Sequence, residues 1–398
     1  VTTLEDLHRS PNALAGDYSA FRVADRLLLT GHSHQAWPDV AGEGQLEAFD
    51  DAARLVDEKW ERAFAKADRV RAGFRQLLQD PQAQIALAEN THQLVLRFLS
   101  ALDLRGRPRL VTSDGEFHTL RRQLARLGEE GFDVVRLGAE PADTLAERMA
   151  AAVDERTSAV LVSAVLFETA RIVPHLDELA AVCSAVGAEL LVDVYHALGV
   201  LPFTVAGEGL GGAWIVGGGY KYLQLGEGNC FLRIPEHGTT LRPVLTGWFA
   251  EFDELTAGHG DGAVGYGRGA SRFAGSTYDP TSHYRAARVL DFFAERGLSP
   301  ELLRAVSLHQ TSLLSRLVDE LALPETVLTR DRETPREAFG GFLALKSPQA
   351  ELLARQLADA GVLTDARGFW LRLGPAPYLA DVQLEQAVER LAGVVARN

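Results

Sequence analysis

Sulfur is nearly missing from this 398-residue chain, which carries two cysteines, Cys183 and Cys230, and one methionine. Two distant cysteines give neither a disulfide framework nor the paired spacing of a metal site. Cys183 falls in a helix-like stretch and Cys230 in a strand-like one, so both read as core. No apolar run reaches the roughly 18 residues of a membrane span. The stretch VTTLEDLHRS has neither the basic nor the apolar region of a secretion signal, so a cytoplasmic protein without a membrane partner is expected. Basic charge is in deficit, with 40 Lys and Arg against 54 Asp and Glu and a formal net charge of −14. Such a surface repels phosphate backbones, which argues against a nucleic-acid partner. The basic run RGRPR at 105–109 reads as a solvated turn.

With 46% hydrophobic residues the chain is long enough for a large α/β core and a smaller second domain. From RLVTS to AELLVDV, strand-like and helix-like segments alternate, with TLRRQLARLGEE, FDVVRL, DTLAERMAAAV, SAVLVSAVLF and HLDELAAVCSAVG between them. Alternation of this kind predicts a mainly parallel central sheet between helices. Ligands then gather at the carboxyl ends of the strands, and Phe117, Ser163, Asp193 and Lys221 all come at or soon after such ends. GEGLGG at 207–212 fits a dinucleotide pattern by spacing, but it precedes the strand AWIV where that motif must follow one. GGGYK likewise fails as a nucleotide loop, since no Ser or Thr follows its lysine.

Elsewhere, helical spacing of apolar residues runs from Trp60 to Leu78, and Asn90-Thr91 opens a helix that continues to Leu102. Free amides around Glu89, Asn90 and Thr91 would suit an anion, or the same residues would serve as plain N-capping. GHSHQAWPD at 31–39 is a loop placed to reach a site, but His32 and His34 have no nearby third ligand, so no metal is expected. Between Pro235 and Pro280 the chain is loop-rich, with many glycines from 258 to 275, and such a stretch is usually functional or interfacial. FGGFLALK, a helix from Pro348 to Ala360, VLTDARGFWLRLGPAPY and a last helix form an α+β domain. The boundaries read as 61–284 for the large domain and 1–60 with 285–398 for the small one.

An acid at one strand end, Asp193, and a lysine at the next, Lys221, are what a pyridoxal phosphate enzyme needs. The acid keeps the pyridine nitrogen protonated and the lysine condenses with the aldehyde. An isolated pair of this kind would read equally as a salt-bridged lysine beside an N-capping aspartate. His196, three residues after Asp193 in DVYHALGVLPF, positions the acid or the ring, or is a hydrogen-bonded core histidine.

With DVYHALGVLPF and YKYLQLGEG in hand, the chain resembles the kynureninase branch of the fold-type-I pyridoxal phosphate enzymes, in the class V aminotransferase superfamily, over nearly its whole length. The resemblance implies that Asp193, His196, Tyr220 and Lys221 form the catalytic group. It implies a phosphate-binding helix start in AENTH (Glu89, Asn90, Thr91), a ring-stacking Phe117 in GEFHTL and a cofactor-contacting Ser163. LTGWFAEFDE and FAGSTYDP resemble loops that reach a cofactor phosphate, some across a dimer interface, which implicates Trp248, Ser276 and Thr277 and implies a homodimer with shared sites. WLRLGPAPY resembles the segment whose arginine, here Arg372, binds the substrate carboxylate through a bidentate pair. The N-terminal loop departs from the usual Asn-Ser-Leu-Gly, reading His32-Ser33-His34-Gln35, and places His32 and Ser33 on the substrate side. Glu168-Thr169-Ala170 replaces Tyr-Thr-Gly, and Thr277 stands for an asparagine that contacts the aromatic product.

The expected activity is a kynureninase-type hydrolase that cleaves the Cβ–Cγ bond of an amino acid and releases alanine. An aminotransferase comes second and a cysteine desulfurase or selenocysteine lyase third, since neither cysteine sits on a plausible mobile loop. A pyridoxal phosphate-binding regulator is the non-enzymatic alternative.

Overall fold

Aliphatic runs with no alternating polar face, such as TSAVLVS, fit a strand covered on both sides. The computed structural model describes residues 2–254, 262 and 264–397. The strand Leu27–Leu28 (β1) stands apart from the seven that follow: Gln84–Ala88 (β2), Arg109–Ser113 (β3), Asp133–Leu137 (β4), Thr157–Ser163 (β5), Glu189–Asp193 (β6), Trp214–Gly218 (β7) and Cys230–Ile234 (β8). These seven form one sheet in the order β2-β8-β7-β6-β5-β3-β4. From β7 to β4 every pairing is parallel, whereas β8 runs antiparallel to both β7 and β2. All seven residues of β5, an interior strand beside the central β6, are buried. The expected α/β architecture is therefore the one found.

Four later strands complete the set: Leu343–Lys346 (β9), Val362–Leu363 (β10), Asp365–Arg367 (β11) and Trp370–Leu373 (β12). They form a small antiparallel sheet in the order β11-β12-β9, while β10 pairs in parallel with β1. Leu7, Phe74, Val162, Leu343 and Leu391 belong to one hydrophobic cluster, so both chain ends share a core with the large sheet. The helix Val40–Leu55 packs on Thr281–Arg296, and Gly44 lets the two approach, since a Cβ there would lie 2.7 Å from the Tyr284 carbonyl oxygen.

The helix expected from Trp60 runs Lys59–Leu77, and that expected from Pro348 runs Ala350–Asp359. Asn90 caps the helix Thr91–Ser100, its side chain accepting from the Gln93 amide at 3.0 Å. The basic run at 105–109 begins as an exposed turn at Arg105 and Gly106, as expected, but its other two arginines are tied to neighbouring segments. Arg107 donates to the Val186 and Glu155 carbonyls at 2.9 and 3.0 Å, and Arg109 pairs with Asp133 and Asp154 at 2.8 and 2.6 Å. The parallel crossovers bring the starts of β4 and β5 beside that of β3, which places these acceptors within reach. The loop-rich stretch after Pro235 contains 3-10 turns at Glu236–Thr240, Trp248–Glu254 and Gly269–Phe273, and its residues 255–261 and 263 lie outside the described residues.

Candidate active site

Parallel strands end on one edge of the sheet, so Ser113, Ser163, Asp193 and Gly218 close β3, β5, β6 and β7 side by side. Ser163 and Asp193 are direct register partners. A cavity of about 270 Å³ opens over this edge, lined by Phe117, Ser163, Asp193, His196, Tyr220 and Lys221. Glu89, Asn90 and Thr91, at the start of the capped helix, line it as well. Nine of the residues singled out from sequence thus meet in one place.

Gly218 permits this crowding: a Cβ there would fall 2.4 Å from the Tyr195 hydroxyl and 2.6 Å from the Cys230 sulfur. The chain then turns, with the Leu225 amide bonded to the Gly219 carbonyl at 2.8 Å, and Lys221 enters the cavity only 5% exposed. Its Nζ lies 2.6 Å from His196 Nε2 and above the rings of Tyr195, Phe117 and Tyr220 at 4.7, 5.3 and 5.8 Å. Burial lowers the Lys221 ammonium to about 7, with Asp193 pulling the other way. Burial, helped by Lys221, holds His196 well below the usual imidazole range, so its ring is neutral and Nε2 accepts from the lysine. His196 Nδ1 is buried with no partner. The Asp193 carboxylate accepts from the Tyr195 amide at 2.8 Å, and burial raises its affinity for a proton. The pocket therefore combines a lysine whose ammonium burial disfavours with an acid bonded to the Tyr195 amide.

The substrate-side residues are arranged differently from the sequence expectation. Arg372 is buried and does not line the cavity. Its Nε donates to Asp365 Oδ1 at 2.9 Å, Nη2 donates to Asp365 Oδ2, and Nη1 donates to the Phe167 carbonyl at 2.6 Å. Phe167 itself lines the cavity, so Arg372 sits one layer behind the wall. His32 Nε2 lies 2.7 Å from the same Asp365 oxygen, and burial brings His32 down to about 4. Burial opposes ionisation of Asp365, but His32 and Arg372 outweigh it and hold its carboxyl well below the usual range. A carboxylate ligand would therefore have to share or displace Asp365. Ser33 is half-buried, 3.2 Å from His34 Nδ1, and His34 stacks on Tyr220 with 5.1 Å between ring centroids.

Trp248, Ser276 and Thr277 are not brought to Lys221 within the chain. Trp248 Nε1 donates to Thr277 Oγ1 at 3.2 Å, and Ser276 and Thr277 line a second cavity of about 620 Å³ that borders the first at Glu89 and Gly228. Sequence reasoning passed over Glu116 and Asp365. Glu116 is 1% exposed and bonded to Ser113 and Ser163, and its only sequence signal is its place beside Phe117. Asp365 was legible as the hairpin partner of Arg372, with DARGFWLR placing the two directly opposite across β11 and β12.

No family model matches the chain, and no curated protein does. Its fold does match solved structures. A C-DES mutant with glycine covalently linked to its pyridoxal phosphate cofactor superposes with a TM-score of 0.82 at 17% identity, over 95% of this chain and 98% of that one. The apo cysteine desulfurase of Thermococcus onnurineus NA1 gives 0.79 at 16% identity, over 98% and 99%. The complex of the cystine C–S lyase C-DES with its product cysteine persulfide gives 0.78 at 16% identity, over 94% and 99%. At such identities the likeness establishes the fold.

Proposed function

We propose that the chain is a pyridoxal phosphate-dependent enzyme acting on an amino acid, with Lys221 as the attachment residue. The observation that carries this reading is Lys221 itself, buried, 2.6 Å from a neutral His196 and brought to about 7, in a cavity whose wall presents Asp193. The donor set suits the cofactor: the Asp193 carboxylate for the ring nitrogen, Phe117 for stacking and the helix start after Asn90, where the Gln93 amide is already capped, for the phosphate. When bound, the cofactor supplies an aldehyde for covalent capture of amines and a ring that accepts electrons.

The chain's own groups account for the remaining steps. Lys221 Nζ would be the residue that holds the cofactor, and in its neutral form it would take the proton from the α-carbon of a bound amino acid. His196 Nε2 accepts a hydrogen bond from Nζ and holds it within the buried cavity. Asp193 holds the ring nitrogen protonated. Arg372 orients the α-carboxylate on exchanging an Asp365 oxygen for it. The loops of Trp248, Ser276 and Thr277 act on the cofactor of a second copy, which makes the working unit a homodimer. Their exposure supports this, with Trp248 44% and Phe252 41% exposed on one chain.

The bond broken lies at the β-carbon. A desulfurase that relays sulfur through its own cysteine is disfavoured, because Cys183 and Cys230 are buried and burial pushes both thiols up to about 12. Kynureninase-type hydrolysis, releasing alanine, needs no such thiol and agrees with the motif resemblance. Cleavage of a C–S bond in cystine is the second reading, favoured by the likeness to C-DES. Incubation of the loaded protein with kynurenine, 3-hydroxykynurenine and cystine, without a keto acid, tests both. Alanine with an anthranilate-type product is expected. Pyruvate with a persulfide would move the assignment to the second reading, and turnover only with added keto acid would make the protein an aminotransferase.

A further inference from the structure

A serine hydroxyl has one proton to give, and an ionised Glu116 carboxylate decides the direction in which Ser163 gives it. Ser163 Oγ donates to Glu116 Oε2 at 2.6 Å and the Ser163 amide donates to Glu116 Oε1 at 3.2 Å. Ser113 Oγ donates to Oε1 at 2.7 Å. With its proton committed, Ser163 has only lone pairs to offer elsewhere, and it lines the Lys221 cavity beside its register partner Asp193. We propose that Glu116 is a positioning residue of the cofactor-ring subsite, which makes the Ser163 hydroxyl a hydrogen-bond acceptor toward the cavity next to the Asp193 carboxylate. The inference rests on the functional reading above and deepens it.

Two adjacent acceptors backed by a second buried carboxylate recognise a cationic donor, and a protonated ring nitrogen is one. A purely structural tie between the ends of β3 and β5 would not require the bonded serine to open on the cavity. The groups that face Glu116 are Ser113 from β3, Ser163 from β5 and, through space, Asp193 from β6; no cation is among its hydrogen-bond partners in the described residues. Burial pushes Glu116 up to about 7 even though both serines stabilise its ionised form. A protonated Glu116 donates to Ser163 Oγ instead and frees the serine proton to point into the cavity, reversing the polarity of that wall. Affinity for a protonated ring is therefore greatest when Glu116 is ionised.

Cofactor-free wild type, Glu116→Gln, Ser163→Ala and the double variant are titrated with pyridoxal phosphate from pH 5.5 to 8.5, and the melting temperature of each unloaded protein is recorded. In Glu116→Gln the amide donates to Ser163 and fixes the reversed polarity. Binding at pH 8 is expected to weaken roughly 3- to 10-fold, the rise of affinity through pH 7 to become shallower than in wild type with the part due to Lys221 kept, and the double variant to bind no more weakly than Ser163→Ala. A Glu116→Gln protein that melts lower yet keeps the wild-type affinity and pH profile overturns the proposal, as does an additive loss in the double variant. A wild-type chain that takes up no pyridoxal phosphate at any pH overturns the functional reading and this inference with it.

Discussion

Replacing Asp365 by alanine tests the buried network behind the cavity wall. The Arg372 side chain is 4% exposed and that of Asp365 18%, and the two are joined by two parallel hydrogen bonds. Removing the carboxylate leaves a buried guanidinium with, among the described residues, the Phe167 carbonyl and the Phe342 ring, and leaves His32 without its acceptor. Breaking one side of a buried pair costs about 3–5 kcal/mol. At roughly 2.1 cal/mol/K per residue, a chain of 398 residues has an unfolding entropy of about 0.8 kcal/mol/K, so the melting temperature should fall by about 4–6 °C. The sign of the pH dependence is fixed. Asp365 is depressed in the folded chain, so its contribution is complete above the ordinary carboxylate range and is lost as the pH falls through its lower folded value. The gap between wild type and variant should be constant from pH 6 to 8 and narrow below about pH 4. Differential scanning calorimetry of the two unloaded proteins at pH 8 and pH 3 decides the matter. A gap under 1 °C at pH 8 would refute the argument that Asp365 is what makes Arg372 tolerable in the core. The same variant frees Arg372, so any amino acid that still binds should do so at lower concentration; unchanged affinity would show that Arg372 does not meet the carboxylate.

Uptake of pyridoxal phosphate should accelerate from pH 6 to pH 8, because the reactive neutral form of Lys221 grows as the pH passes about 7; borohydride should then fix the label on Lys221, and a label on another lysine in peptide maps sinks the assignment. Native protein should react with a thiol reagent only after unfolding, and a Cys183→Ser variant should keep full turnover; loss of turnover there would bring the desulfurase reading back. Light scattering should give a dimer, and a Trp248→Ala variant should weaken cofactor binding; a fully active monomer would contradict the shared-site reading.

Local pattern determined much of this protein. The aliphatic runs with no polar face dictated a covered parallel sheet, since buried backbone groups must pair and only neighbouring strands offer partners. The acid, histidine and lysine were legible because each ends such a run or follows it within three residues, and parallel strands deliver their carboxyl ends to one edge. Asn90 was legible because capping is a short-range bond within one turn. What the tertiary structure alone decided depends on contacts between segments far apart in the chain. Arg372 stands 205 residues from the Phe167 carbonyl that it meets, and His32 stands 333 residues from Asp365. Periodicity therefore could not tell that the arginine is set behind the wall, although its hairpin pairing with Asp365 is local. The same holds for Glu116, whose role follows from a serine 47 residues away. Burial, which no single residue encodes, sets the titration of Lys221, His196 and Glu116, because the cost of a buried charge depends on everything packed around it.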